Sequence, residues 1–289
     1  MPYPFKSLFS AILLVTNLLA KGEDTNFIRI VDEEERAQLQ TSVTTYTKEN
    51  TTVTLIGAIH IGDKSYFEAL NKEFTNYPTL LFELIGGEKA AKLLNGKPKP
   101  KPKKEAHNRP AEGLRSLYHS LAITMQLSQQ VEHIDYTKEN FIHADLTMAE
   151  YLKLTQGKED EIFAFAIQNS VKTAEITGKP FGGMDMSLVM RAILSGDGSG
   201  LKIQYMHLMD QGDESTAALT GKNLIITDRN EKCFQILARE QKKGATKIGI
   251  FYGAAHFPEM EKRLLADGFK KTEHRWLTAW DVKKPAPKK

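Results

Sequence analysis

One short phrase occurs twice in this chain and limits what it can fold into: an apolar strand that runs into Gly-x-x-His and then at once into a helix. In the first copy, residues 52–56 (TVTLI) are rich in β-formers, Gly57 permits a tight turn, and His60 follows. Gly62 and Asp63 come next, so the spacing predicts a helix capped by Asp63 with Tyr66, Phe67, Leu70 and Phe74 on its buried face. In the second copy, residues 247–252 (KIGIFY) lead into Gly253-Ala254-Ala255-His256, and Phe257-Pro258-Glu259 opens another helix. Between the two, residues 79–84 form an apolar run interrupted by Glu83.

Strand, helix, parallel strand is a βαβ unit, and ligands of such sheets sit outside the carboxyl ends of the strands. Residues 26–31 and 38–47 read as a hairpin feeding the sheet. The fold class expected is α/β, with a mixed, largely parallel central sheet, flanking helices and an inserted helical cap. His60, Glu83 and His256 would all reach the ligand edge. Imidazole and carboxylate together either bind a divalent metal or share a proton in general acid-base work.

Several short motifs carry a resemblance to a known family. These are Gly57 to His60, Glu83-Leu84, Asp135-Tyr136, Ala144-Asp145-Leu146, Arg229-Asn230 and Gly253 to His256, in that order. Over residues 27–282 the chain resembles the TraB/PrgY family, grouped with the TIKI metalloproteases and GumN-like proteins and, more remotely, with the erythromycin esterase and ChaN-like folds. The resemblance to the TIKI branch implies manganese or cobalt as a divalent cofactor and peptide substrates. That to the esterases implies His and Glu acting as acid and base with no metal. Other members imply haem binding or regulation of a peptide signal without turnover.

The remaining segments are less informative about chemistry. The chain has 289 residues, 41% hydrophobic and 26% charged, which suits one globular domain over residues 25–282. The net charge of +3 is concentrated in a linker and the C-terminal tail, which argues against a nucleic-acid partner. Cys233 is the only cysteine, so no intrachain disulfide forms. Residues 1–20 have the layout of a secretory signal peptide, implying a periplasmic or extracellular protein; the alternative is an N-terminal membrane anchor. Residues 95–109, with five lysines and three prolines, read as a flexible basic insertion suited at most to weak association with an anionic surface. Residues 113–219 read as the helical cap, including a strand at 131–136 and a capping box of Thr147 with Glu150. Asp135 either reaches the ligand edge or orients a turn, and Asp145 stands at a helix entrance. Residues 283–289 read as a disordered tail.

The sequence places Arg229 at the opening of a helix whose cap is Asp228, where a cation opposes the helix dipole. An anion would hold it there: Glu83, Asp228 or a substrate carboxylate. The expected function is therefore metal-assisted hydrolysis of a peptide or small ester or amide. His60, Glu83 and His256 would hold the ion or a water, and Arg229 would stabilise oxyanion charge. If residues 1–20 direct export, the mature protein starts at or near Lys21. Intact-mass measurement on native protein checks this, and a soluble cytosolic chain beginning at Met1 contradicts it.

Overall fold

The computed structural model describes residues 26–86, 122–156, 185–207 and 224–284. The signal segment, the basic insertion and the helices that apolar spacing gives at 88–94 and 162–174 lie outside them; of the helix that spacing gives at 113–130, residues 122–124 are helical, whereas Ser128–Gln129 form a strand. The described elements are β1 (Ile28–Asp32), β2 (Arg36–Lys48), β3 (Thr51–Ala58), β4 (Ile61–Gly62), α1 (Lys64–Phe74), β5 (Thr79–Phe82), β6 (Ser128–Gln129), α2 (Gln130–His133), β7 (Phe141–His143), α3 (Met148–Thr155), α4 (Met186–Ser195), α5 (Leu224–Lys242), β8 (Lys247–Gly253), α6 (Phe257–Ala266) and β9 (Lys270–Lys283). Residues 199–207 are also helical.

The main sheet is mixed, with β3, β8, β5 and β7 side by side and parallel. At the other end β2 lies antiparallel to all its neighbours: β9 along one edge, and β1 and then β3 along the other. Only β2 runs against the rest, so the fold is α/β with a largely parallel sheet and flanking helices. The short strands β4 and β6 pair separately beside it.

The central strands read as continuous apolar runs because helices cover both faces of the sheet. In β8, every residue from Ile248 to Tyr252 is buried. Helix α1 buries Tyr66, Phe67, Leu70 and Phe74, the face its spacing predicts. Phe74 meets Phe251 at 4.6 Å between ring centres, which presses α1 onto β8. Helix α6 turns Phe257, Met260 and Leu264 inward. Tyr66 donates its hydroxyl hydrogen to Gly57 O at 2.8 Å, tying α1 to the end of β3 just before His60.

Three local expectations are corrected. Residues 131–136 are not a strand: α2 ends at His133, and the strand that this stretch of the chain adds to the sheet is β7, paired to β5. Asp63 stands at the start of α1, but its side chain makes no cap bond; Oδ2 accepts from the Asp281 main-chain N–H at 2.7 Å, joining α1 to β9. Lys283 and Lys284 belong to the ordered body, since Lys284 Nζ reaches Asp32 at 2.5 Å. The Thr147 and Glu150 capping box is present.

Gly249 shows how closely β8 is packed, because a Cβ there would lie 2.7 Å from Leu80 Cδ1 and 2.9 Å from Tyr77 Cγ. Gly249→Ala is expected to lower stability by about 1–3 kcal/mol, the usual cost of overpacking. Urea unfolding measures it, and a change under about 0.5 kcal/mol would mean that the Leu80 and Tyr77 side chains give way easily.

Candidate active site

Parallel strands of one sheet end at one edge, and the structure uses that edge four times. His60 follows β3, Glu83 follows β5, Asp145 follows β7, and His256 closes a short helical turn, Ala254–His256, after β8. Helix α5 crosses above and supplies Arg229 and Asn230, both buried. Arg229 is not at a helix start: residues from Leu224 onward are already helix, so Asp228 lies within α5 and is not its cap.

The centre of the cluster is the Arg229 guanidinium. Nε and Nη2 donate to the two oxygens of Asp145 at 2.9 and 2.6 Å, a bidentate pairing, and Nη2 also donates to Glu83 Oε1 at 2.5 Å. Its anions are therefore Glu83 and Asp145, not Asp228. Burial works against the Arg229 charge, but the two carboxylates outweigh it and hold the proton more firmly than usual. Two carboxylates against one guanidinium give these three side chains an excess of one formal negative charge.

Glu83 is held at both oxygens, since the Gly253 main-chain N–H donates to Oε2 at 2.6 Å. Burial alone would push its carboxyl up; Arg229, His256, His60 and the Gly253 amide prevail and bring it down to about 2. It is ionised across the neutral range.

His256 is buried, and burial, with the Arg229 charge, pushes its imidazolium form down, against the pull of Glu83 and Asp145. The ring is therefore neutral at pH 7. Asn230 decides its tautomer. The Asn230 Nδ2 group donates to Glu259 Oε2 at 2.6 Å and to His256 O at 3.2 Å, so Oδ1 faces His256 Nδ1 at 2.6 Å and accepts its hydrogen. The lone pair is left on Nε2, 3.5 Å from Arg229 Nη1 and 3.6 Å from Glu83 Oε1. His60 is the exposed member, close enough to act electrostatically on both Glu83 and His256. Its Nδ1 lies 3.3 Å from Gln130 Oε1.

The four residues singled out in the sequence are thus brought together, and Asp145 joins them. Its signal was a carboxylate between Ala144 and Leu146 in an otherwise apolar stretch, easily taken for a helix entrance. Asp135 does not take part: its carboxylate accepts from Thr137 N at 3.0 Å and Thr137 Oγ1 at 2.6 Å and shapes a turn. Cys233 is buried nearby, and burial pushes its thiol up, so it is no nucleophile.

A divalent ion fits this donor set poorly. An ion shared by His256 Nε2 and Glu83 Oε1 would lie between two atoms that the guanidinium already spans, one through Nη1 and the other through Nη2. Among the described residues, no group of three His, Cys, Asp or Glu side chains is arranged to hold a metal. The chemistry the arrangement offers is a fixed anion, a neutral imidazole with an oriented lone pair, and a guanidinium N–H beside it.

No family model, curated protein or solved structure matches the chain.

Asp145 is fully buried and bidentate to Arg229, so removing its charge leaves a buried cation short of a partner. Asp145→Asn is expected to cost about 3–5 kcal/mol in chemical denaturation, the range for breaking a buried pair from one side. A loss below about 1 kcal/mol would show that Glu83 alone satisfies Arg229.

Proposed function

We propose that this chain is a hydrolase of a peptide or a small ester or amide, working by metal-independent acid-base catalysis at the sheet edge. The observation that carries the reading is His256: a buried, neutral imidazole whose Nδ1–H is committed to Asn230, with its Nε2 lone pair beside a guanidinium N–H and a carboxylate fixed as the anion. A general base needs that protonation state and that orientation.

In this reading a water held at His256 Nε2 attacks the substrate carbonyl carbon and gives its proton to Nε2. Arg229 Nη1 donates to the oxyanion as it forms. The Glu83 carboxylate, 3.6 Å from Nε2, offsets the charge of the new imidazolium. When the carbon–oxygen or carbon–nitrogen bond breaks, the imidazolium returns the proton to the leaving group, and His256 is neutral again. Asp145 touches no substrate; it keeps Arg229 in place. The surplus negative charge disfavours substrates carrying a carboxylate next to the scissile bond and favours neutral or cationic ones.

The metal-assisted reading keeps one observation in its favour. Asn230 orients His256 as ligating imidazoles are commonly oriented, with one nitrogen donating to an oxygen and the other bearing the lone pair. Here His60, Glu83 and His256 would be the ligands and manganese or cobalt the ion, supplying Lewis-acid polarisation of the carbonyl. Export and the basic insertion belong to the same proposal, as the setting in which such a hydrolase would meet its substrate. Among the described residues, no helix is long and apolar enough to cross a membrane.

The test uses 4-nitrophenyl esters of acetate, glycine and succinate together with a mixed peptide library. Purified protein is expected to hydrolyse members of this set equally well with and without EDTA, with the succinate half-ester slowest. His256→Ala and Glu83→Gln should each lower the rate by about 10²- to 10⁴-fold with folding retained. Loss of activity in EDTA that manganese or cobalt restores would replace the acid-base route with the metal-assisted one. Absence of any turnover, with a Soret band on adding haemin, would replace hydrolysis with ligand holding.

A further inference from the structure

His60 is held in the same manner as His256, by a carboxamide that the sequence did not single out. Gln130, at the start of α2, is buried and stands seventy residues from His60 in the chain. Its main-chain N–H donates to His60 O at 2.8 Å, which fixes the separation of the two residues. Its side-chain Nε2 donates to the hydroxyl of Tyr136 at 2.7 Å. Tyr136 is itself buried. With the donor end of the carboxamide turned to Tyr136, the end that meets His60 Nδ1 is Oε1, an oxygen that can only accept. Nδ1 must then carry the hydrogen, and the lone pair of His60 lies on Nε2.

We propose that Gln130, its carboxamide turned with Nε2 to Tyr136 and Oε1 to His60, is a positioning residue that locks His60 as the Nδ1–H tautomer. The site then contains two imidazoles in one protonation pattern, each set by a carboxamide oxygen: Asn230 for His256 and Gln130 for His60. The two carboxamides come from different elements, α5 and α2, so the common pattern does not follow from one local motif. A free imidazole in water favours hydrogen on Nε2, so the lock reverses the ordinary preference and places the acceptor nitrogen beyond the Gln130 contact. The role in turnover rests on the hydrolase reading above, whereas the tautomer does not.

The deciding measurement is the ¹⁵N spectrum of the imidazoles in the full chain at a pH where His60 is neutral. Wild-type His60 is expected to show hydrogen on Nδ1, and Gln130→Leu is expected to move it to Nε2. Gln130→Glu, which still offers an acceptor, should keep the Nδ1–H form. Where hydrolysis is measurable, kcat should fall about 10- to 100-fold in Gln130→Leu with a smaller change in KM, and Gln130→Glu should recover much of it. Hydrogen on Nε2 in the wild type, or an unchanged tautomer in Gln130→Leu, overturns the proposal. Should Gln130→Leu fail to fold, Gln130→Met serves in its place and the wild-type spectrum alone still decides. A protein with no hydrolytic activity but an Nδ1–H His60 would refute the proposed function and leave the lock standing.

Discussion

A guanidinium taken out of water is unstable unless carboxylates come with it, and the arrangement of this protein follows from how Arg229 meets that requirement. Its two carboxylate partners stand at the ends of neighbouring strands, Glu83 after β5 and Asp145 after β7, while Arg229 itself comes from α5. Glu83 is tied in turn to β8 through the Gly253 N–H, and Tyr252 donates its hydroxyl hydrogen to Ala144 O at 2.5 Å. The strand ends and the helix above them therefore cannot shift independently. Burial of the charge, costly alone, becomes a constraint on the geometry of the whole edge.

That constraint also separates the roles of the ionisable groups. The same guanidinium that keeps Glu83 ionised acts on His256 in the opposite sense, because a second positive charge beside it is disfavoured. Burial adds to the effect on His256 and is overcome at Glu83. One site thus holds a permanent anion and a neutral base within 3.6 Å of each other. A metal at His256 Nε2 and Glu83 Oε1 would have to compete with Arg229 for the same two atoms.

Much of this was legible in the sequence where local pattern and global fold agree. The β8 run of apolar residues, the α1 stripe and the Gly-x-x-His junctions are set by burial and by turn chemistry close in the chain, and the structure has them where the spacing puts them. The misreadings share a cause. Residues 131–136 carry enough apolar side chains for a strand, but Ile134 and Tyr136 are buried from a helical turn and the loop after it, and the strand that completes the sheet is the less conspicuous Phe141–His143. Arg229 was placed at a helix start because nothing local tells the apolar residues 224–227, which are helix, from a short strand ahead of it. Asp145 was read as a helix entrance and Gln130 was not singled out, because their importance lies in partners 84 and 70 residues away. Glu83 was among the anions named for Arg229, but the reason given, a cation at a helix start, does not hold, since Arg229 lies inside α5.

The central claim is that the Arg229 cluster keeps His256 neutral and ready to accept a proton. A titration of the His256 ring followed by NMR in the intact protein tests it most directly. The account predicts a pKa below the ordinary histidine value of about 6.5 and a ring that is neutral, with hydrogen on Nδ1, throughout the neutral range. The sign follows from burial and from Arg229, both of which disfavour the imidazolium. A His256 that remains protonated at pH 7 would contradict the account, because a ring already carrying its second proton has no lone pair with which to activate water.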